Sequence, residues 1–164
     1  MEKSWEGYSV SGRGCSEDAQ PKELQLTTLL IDCFHAELGA IAAYTYRSLI
    51  TEGISRELSD TFDRIATHET EHFRLVGSLI LSLGADPEIG TRIRKVSHVL
   101  ESCEDRTHAT ALTAMIDAAV GEEYAEIDRY RKAMAHTDDR IFRAFLAQLI
   151  ADEERHVRML VTML

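Results

Sequence analysis

Apolar residues recur at steps of three and four through four long stretches of this chain, and no segment alternates with period two, so the sequence is confined to helices. From about Glu23 to Glu52 the apolar positions are Leu26, Leu29, Leu30, Phe34, Leu38, Ile41 and Tyr44, and the pattern stops near Gly53. A second stretch, from about Ser55 to Leu83, carries Leu58, Phe62, Ile65, Phe73, Val76, Leu79 and Ile80 and ends at Gly84 before Pro87. The third runs from about Thr107 to Ala135 through Leu112, Met115, Ile116, Ala119, Ile127, Tyr130 and Met134. The fourth runs from about Asp138 to the C-terminus through Ile141, Phe145, Leu149, Ile150, Val157 and Leu160. No proline follows Pro87, so nothing interrupts the last two stretches. Helices of this size reach about 40 Å at 1.5 Å per residue, which suits an all-α antiparallel four-helix bundle.

At 164 residues the chain reads as one domain. Residues 1–22, with Gly7, Gly12, Gly14 and Pro21 and no helical period, read as a flexible N-terminal tail, leaving residues 23–164 for the bundle. The stretch from Glu88 to Asp105 holds Ile89, Ile93, Val96 and Leu100, and is either a short extra helix or a long crossover between helices two and three. Eighteen Lys and Arg against 28 Asp and Glu give a formal charge of -10, which argues against nucleic acid or an anionic membrane as partner. Neither a secretory leader nor an unbroken apolar run of about eighteen residues is visible. Cys15, Cys33 and Cys103 are odd in number and widely spaced, so neither a disulfide framework nor a Cys-x-x-Cys iron site is indicated, and a reducing cytoplasm is the expected compartment.

Within the helical pattern lies a repeat that carries polar residues. Glu37 is followed at +4 and +7 by Ile41 and Tyr44, and Glu123 by Ile127 and Tyr130 at the same offsets. His68-Glu69-Thr70-Glu71-His72 and Asp152-Glu153-Glu154-Arg155-His156 each place Glu three residues before His, and the spacing from Glu37 to Glu69 is close to that from Glu123 to Glu153. Residues three apart on a helix share a face, so each Glu-x-x-His aims a carboxylate and an imidazole at one point. One Glu from each remaining helix completes four carboxylates and two imidazoles, enough for two metal ions. Oxygen-rich ligation with some nitrogen suits iron or manganese, and carboxylates on apolar helix faces are costly unless a cation sits among them.

Blander readings compete with this. A lone Glu-x-x-His is common on exposed helix faces; two copies in register with two further glutamates are not. His68-Glu69-Thr70-Glu71-His72 also fits the His-Glu-x-x-His zinc-protease pattern, which leaves Glu37, Glu123 and the second Glu-x-x-His unexplained. Tyr44 and Tyr130 read either as hydrogen-bond donors to ligand carboxylates or as core fillers. His35, His98, His108 and His136 share no pattern and read as surface residues.

At Glu37-Leu38-Gly39-Ala40-Ile41-Ala42-Ala43-Tyr44 and Asp152-Glu153-Glu154-Arg155-His156 the chain resembles bacterioferritins, and Tyr44-Thr45-Tyr46 is similar to rubrerythrins. The likeness spans roughly residues 24–164 and identifies the chain as a member of the ferritin-like superfamily. It implies a ferritin-like bundle with a long crossover between helices two and three, and a centre of two iron ions, or two manganese ions. Glu37, Glu69 and His72 would serve one ion and Glu123, Glu153 and His156 the other, with Glu69 and Glu153 bridging. A rubrerythrin-like Gly121-Glu122 pairing makes Glu122 the rival of Glu123; the repeat at Ile127 and Tyr130 favours Glu123. Thr70 stands where bacterioferritin places its haem-ligating Met, so no haem is expected, and His68 stands where bacterioferritin has Asp. A fifth helix and a Cys-ligated iron domain are both missing, which argues against a storage shell and for an external electron donor. The implied activity is a di-iron oxidase or peroxidase acting on O2 or hydrogen peroxide in oxidative stress or iron handling. An iron-binding or storage protein without turnover and a dimanganese catalase are the alternatives, and a homodimer is a family-level expectation.

Overall fold

The computed structural model describes residues 21–87 and 108–164, and all of its regular structure is helical: α1 (Pro21–Thr51), α2 (Arg56–Ser82), α3 (His108–Ala135) and α4 (Arg140–Val161). Of the expected tail 1–22, residues 1–20 lie outside the described residues and residues 21 and 22 instead begin α1, since proline is favoured in the first turn of a helix; the segment 88–105 lies outside the described residues, as do Cys15, Cys103 and His98.

Local sequence accounts for where the helices begin and end. Ser55 stands extended before α2 and its Oγ accepts from Leu58 N at 3.4 Å. Asp139 caps α4 with one carboxylate oxygen that accepts from Ile141 N at 2.7 Å and Phe142 N at 3.1 Å. Gly84 takes φ +75° just beyond α2, and Ala85 N reaches back to Ile80 O at 3.3 Å, closing the helix in a left-handed turn that favours glycine.

Side-chain contacts fix the packing order. Tyr44 of α1 meets Glu123 of α3, and Tyr130 meets Glu37, so α1 and α3 run antiparallel. His68 meets His156 and His72 faces Asp152, so α2 and α4 are antiparallel as well. The turns at Gly53 and Thr137 make α1–α2 and α3–α4 antiparallel hairpins. Consequently α2 and α3 point the same way, and α3 begins at the opposite end of the bundle from where α2 finishes. That is the long-crossover topology expected from the resemblance.

Two apolar clusters fill the ends of the bundle. One gathers Leu30, Phe34, Val76, Ile80, Tyr130, Leu146 and Leu149; the other gathers Tyr44, Leu58, Phe62, Ile65, Met115, Ile116 and Leu160. Each fully buried side chain of this size contributes about 1.5–3 kcal/mol. Along every helix a gap separates the two clusters, and the polar residues of the sequence repeat fall in those gaps. An 18-residue window of Lys22–Thr51 is long and apolar enough to cross a membrane, with mean hydropathy 1.4. In the bundle part of that apolarity serves the core: Leu26, Leu30 and Phe34 pack inside, Leu24 and Leu49 stay exposed, and Glu37 and Arg47 are buried on the same helix.

Candidate metal centre

Between the apolar clusters the four helices bring Glu37, Glu69, His72, Glu123, Glu153 and His156 together, none more than 5% exposed. Their ligand atoms form two groups, Glu37–Glu69–His72–Glu153 and Glu69–Glu123–Glu153–His156, and within each group all atoms lie within 4.8 Å of one another. The groups share Glu69 and Glu153, which is the arrangement that two bridged cations require.

Both imidazoles turn Nδ1 inward. His72 Nδ1 lies 2.9 Å from Glu153, 3.1 Å from Glu69 and 3.7 Å from Glu37. His156 Nδ1 lies 2.8 Å from Glu153, 3.1 Å from Glu69 and 3.2 Å from Glu123. A single N–H points at one acceptor only, so it cannot serve three carboxylates. Accordingly Glu37 Oε2, Glu69 Oε1 and Glu153 Oε1 are buried without a well-formed hydrogen bond. A cation at each convergence point would serve all of its carboxylates at once, and the donor set of oxygens with one imidazole per site fits iron or manganese.

The electrostatics show how the cluster is strained without cations. Burial, with Glu126 and Glu69 nearby, pushes the Glu37 carboxyl well above its ordinary range. Burial likewise raises Glu123 to about 8, although the hydrogen bond from His156 works against it. Burial opposes charge on the imidazoles, yet hydrogen bonds to the glutamates outweigh it: those to Glu153 and Glu69 lift His72 to about 9, and those to Glu123, Glu153 and Glu69 lift His156 to about 12. Glu69 is the exception, held near 2 against its own burial by His156 and His72. Protons thus take the place that divalent cations would fill, and metal binding would release them.

Tyr44 donates to Glu123 Oε1 and Tyr130 to Glu37 Oε1, both in short hydrogen bonds, so each tyrosine orients the glutamate of the opposite helix. The alternatives for the tyrosines coexist, since both rings are also buried in the apolar clusters. Glu122, the rival of Glu123, points the other way: its side chain is half exposed and takes a bidentate pair from Arg47 at 2.8 Å. Arg47 in turn lies over the Tyr44 ring, 5.2 Å from its centroid. His68 does not join His72 as the zinc-protease pattern would require; its Nδ1 lies 3.0 Å from His156 Nε2, on the outer side of that ring. Burial beside His156 lowers the pKa of His68. His136 is partly exposed, and its Nδ1 lies 2.8 Å from Lys132 O.

Sequence reasoning missed Glu126. It is 6% exposed, its Oε2 has no partner, and burial together with Glu69, Glu153 and Glu123 raises its carboxyl well above the ordinary range. Arg129 stands 4.0 Å away, at the limit of an ion pair. The repeat hid this residue, because Glu126 is three beyond Glu123 and the position three beyond Glu37 is Ala40. The available signal was the helical period: Ala119, Glu123, Glu126 and Tyr130 share the buried stripe of α3. Cys33 is a different matter. Burial pushes its thiol up to about 12, so it stays a neutral part of the apolar cluster.

Comparison with known proteins agrees with this architecture. A bacterioferritin of Desulfovibrio desulfuricans, whose structure is described by its di-iron site in different catalytic states, superposes with a TM-score of 0.72 at 18% identity, over 87% of this chain and 79% of that one. A ferritin-like, di-iron-carboxylate protein from Bacillus anthracis superposes with a TM-score of 0.69 at 22% identity, over 88% of this chain and 98% of that one. No curated protein matches the sequence. The Ferritin-like domain model matches residues 29–164, a span that takes in α1 from residue 29, the other three helices and every residue of the cluster. With four helices, their crossover order and a carboxylate layer at mid-height all of one kind, the chain belongs to the ferritin-like domain family.

Proposed function

We propose that this protein is a non-haem di-iron oxidase or peroxidase that reduces O2 or hydrogen peroxide. The observation that carries the reading is the pair of buried ligand groups sharing Glu69 and Glu153. Glu37, Glu69, His72 and Glu153 would hold one ion and Glu69, Glu123, Glu153 and His156 the other, with Glu126 a further carboxylate beside them. A bound ferrous pair supplies two electrons, one per ion, which with two protons cleave the O–O bond of hydrogen peroxide to two waters. The protein's part is to hold the ligand carboxylates in place through Tyr44 and Tyr130, to exclude bulk water with the two apolar clusters, and to carry a proton on Glu126, which stands outside both ligand groups. Re-reduction is assigned to an external electron donor.

The test is anaerobic loading with two equivalents of Fe(II), then stopped-flow mixing with peroxide or with O2. Rapid stoichiometric oxidation supports the reading; an absence of any fast phase defeats it. A store without turnover would instead take up many irons per chain and elute as a large shell, which metal analysis across a size-exclusion peak separates from a small oligomer holding two. The ligand set suits manganese as well, so anomalous scattering at both edges, on protein purified without added metal, decides the native ion.

A further inference from the structure

The two halves of the cluster are related by the sequence repeat, and the relation extends to what stands behind each imidazole. His72 of α2 turns Nε2 toward Asp152 Oδ2 of α4 at 3.8 Å. His156 of α4 turns Nε2 toward His68 Nδ1 of α2 at 3.0 Å, with the two rings nearly parallel at 14°. Asp152 and His68 occupy equivalent places, each one residue before the Glu of its own Glu-x-x-His and each behind the imidazole of the other helix. Here the repeat breaks: a carboxylate backs one imidazole and a second imidazole backs the other.

The break has chemical consequences at the inward nitrogens. With Nδ1 given to a cation, the proton of each ring sits on Nε2 and points outward. Behind His72 it faces a carboxylate oxygen 3.8 Å away, too far for a direct hydrogen bond but close enough for its charge to attract the proton and favour a cation on the inner nitrogen. Behind His156 the acceptor is the lone pair of His68 Nδ1, which leaves the proton of His68 on its own Nε2 and supplies no net charge. Outer partners of this kind shift metal affinity by about 10–100-fold. Asp152 is itself shared with Arg155 at 2.5 Å on Oδ1 and Gln148 at 2.9 Å on Oδ2, which offsets much of its charge but leaves Oδ2 as the atom that faces His72.

Resting on the reading that the cluster binds two cations, we propose that His68 makes the two halves unequal, so that the cation on His156 is held more weakly than the cation on His72 and the pair fills in a fixed order. His68 is then a positioning residue for His156 and sets which ion is the exchangeable one.

Anaerobic titration of the full chain with Co(II), followed by calorimetry and by the visible absorption of the bound ion, tests this. Wild type takes up two equivalents in two resolved steps. His68→Asp tightens the second step by about tenfold and leaves the first in place, closing the gap. Asp152→Asn acts in the opposite half, weakening the first step by about tenfold. Thr67→Asp adds the same charge one residue away, on the exposed side of α2, and leaves both steps near wild type. A gain in affinity confined to one step is a result that a merely structural role for His68 does not give. If His68→Asp shifts the second step no more than Thr67→Asp does, or shifts both steps alike, the inference falls while the two-cation reading stands. Wild type that binds no Co(II), or a single equivalent, overturns the two-cation reading and this inference with it.

Discussion

Glu126 is the residue whose environment is least satisfied, and its substitution separates stability from metal binding. An ionised or unpaired buried carboxyl costs about 1–3 kcal/mol, whereas an amide can donate to the glutamates around it. Glu126→Gln is therefore expected to raise the melting temperature of the metal-free protein by a few degrees while lowering its affinity for divalent metal. Thermal melts with and without Mn(II) check both halves; a loss of metal-free stability would show that Glu126 is better paired than its orphaned oxygen indicates. Tyr44 and Tyr130 lead to the opposite expectation. Tyr44→Phe or Tyr130→Phe removes the one hydroxyl that holds a buried glutamate oxygen and is expected to cost about 1–3 kcal/mol in urea unfolding.

At the scale of the helices, capping and close approach govern stability. Asp139 satisfies two backbone N–H groups at 2.7 and 3.1 Å, while Ser55 satisfies one at 3.4 Å. Asp139→Ala is expected to cost about 1 kcal/mol, and Ser55→Ala distinctly less, when chemical unfolding midpoints are compared. The α1–α2 contact rests on Gly77 for a different reason. A Cβ there would stand 3.0 Å from Phe34 Cε2, and the Phe34 ring is itself stacked on Phe73 with centroids 4.1 Å apart. Gly77→Ala is expected to destabilise by about 1–3 kcal/mol through overpacking, with part of the loss restored by Phe34→Leu.

The whole molecule couples its stability to pH through the centre. Glu37, Glu123 and Glu126 have raised pKa values in the folded state, so the native cluster keeps protons that the unfolded chain releases above about pH 4.5. His72 and His156, raised to about 9 and about 12, add stability that is complete below their ordinary value of 6.5 and is lost as pH rises through the folded values. Glu69 has the opposite sign, adding stability above 4.5 that disappears as pH falls toward 2. The metal-free protein is therefore expected to lose stability between pH 6 and 9, where Glu123 and His72 titrate. With Mn(II) bound, ligands that must be deprotonated favour higher pH, and the slope reverses. Calorimetric melting across this range, with and without metal, gives both slopes; parallel curves would argue that the cluster holds no cation.

The sequence by itself determined the helices, their approximate ends and six of the clustered residues, because helical period and Glu-x-x-His spacing are local properties that need no partner to be read. Tertiary structure decided what depends on the approach of one helix to another. It turned Glu123 inward and tied Glu122 to Arg47, a choice that adjacent residues on one helix cannot reveal. It made Glu126 a buried member of the cluster although no repeat marked it, and it set Tyr44 and Tyr130 on glutamates 79 and 93 residues away. It also placed His68 behind His156 rather than beside His72. These are all relations across the bundle axis, and their free energies come from burial and charge shared among helices, which no single stretch of chain contains.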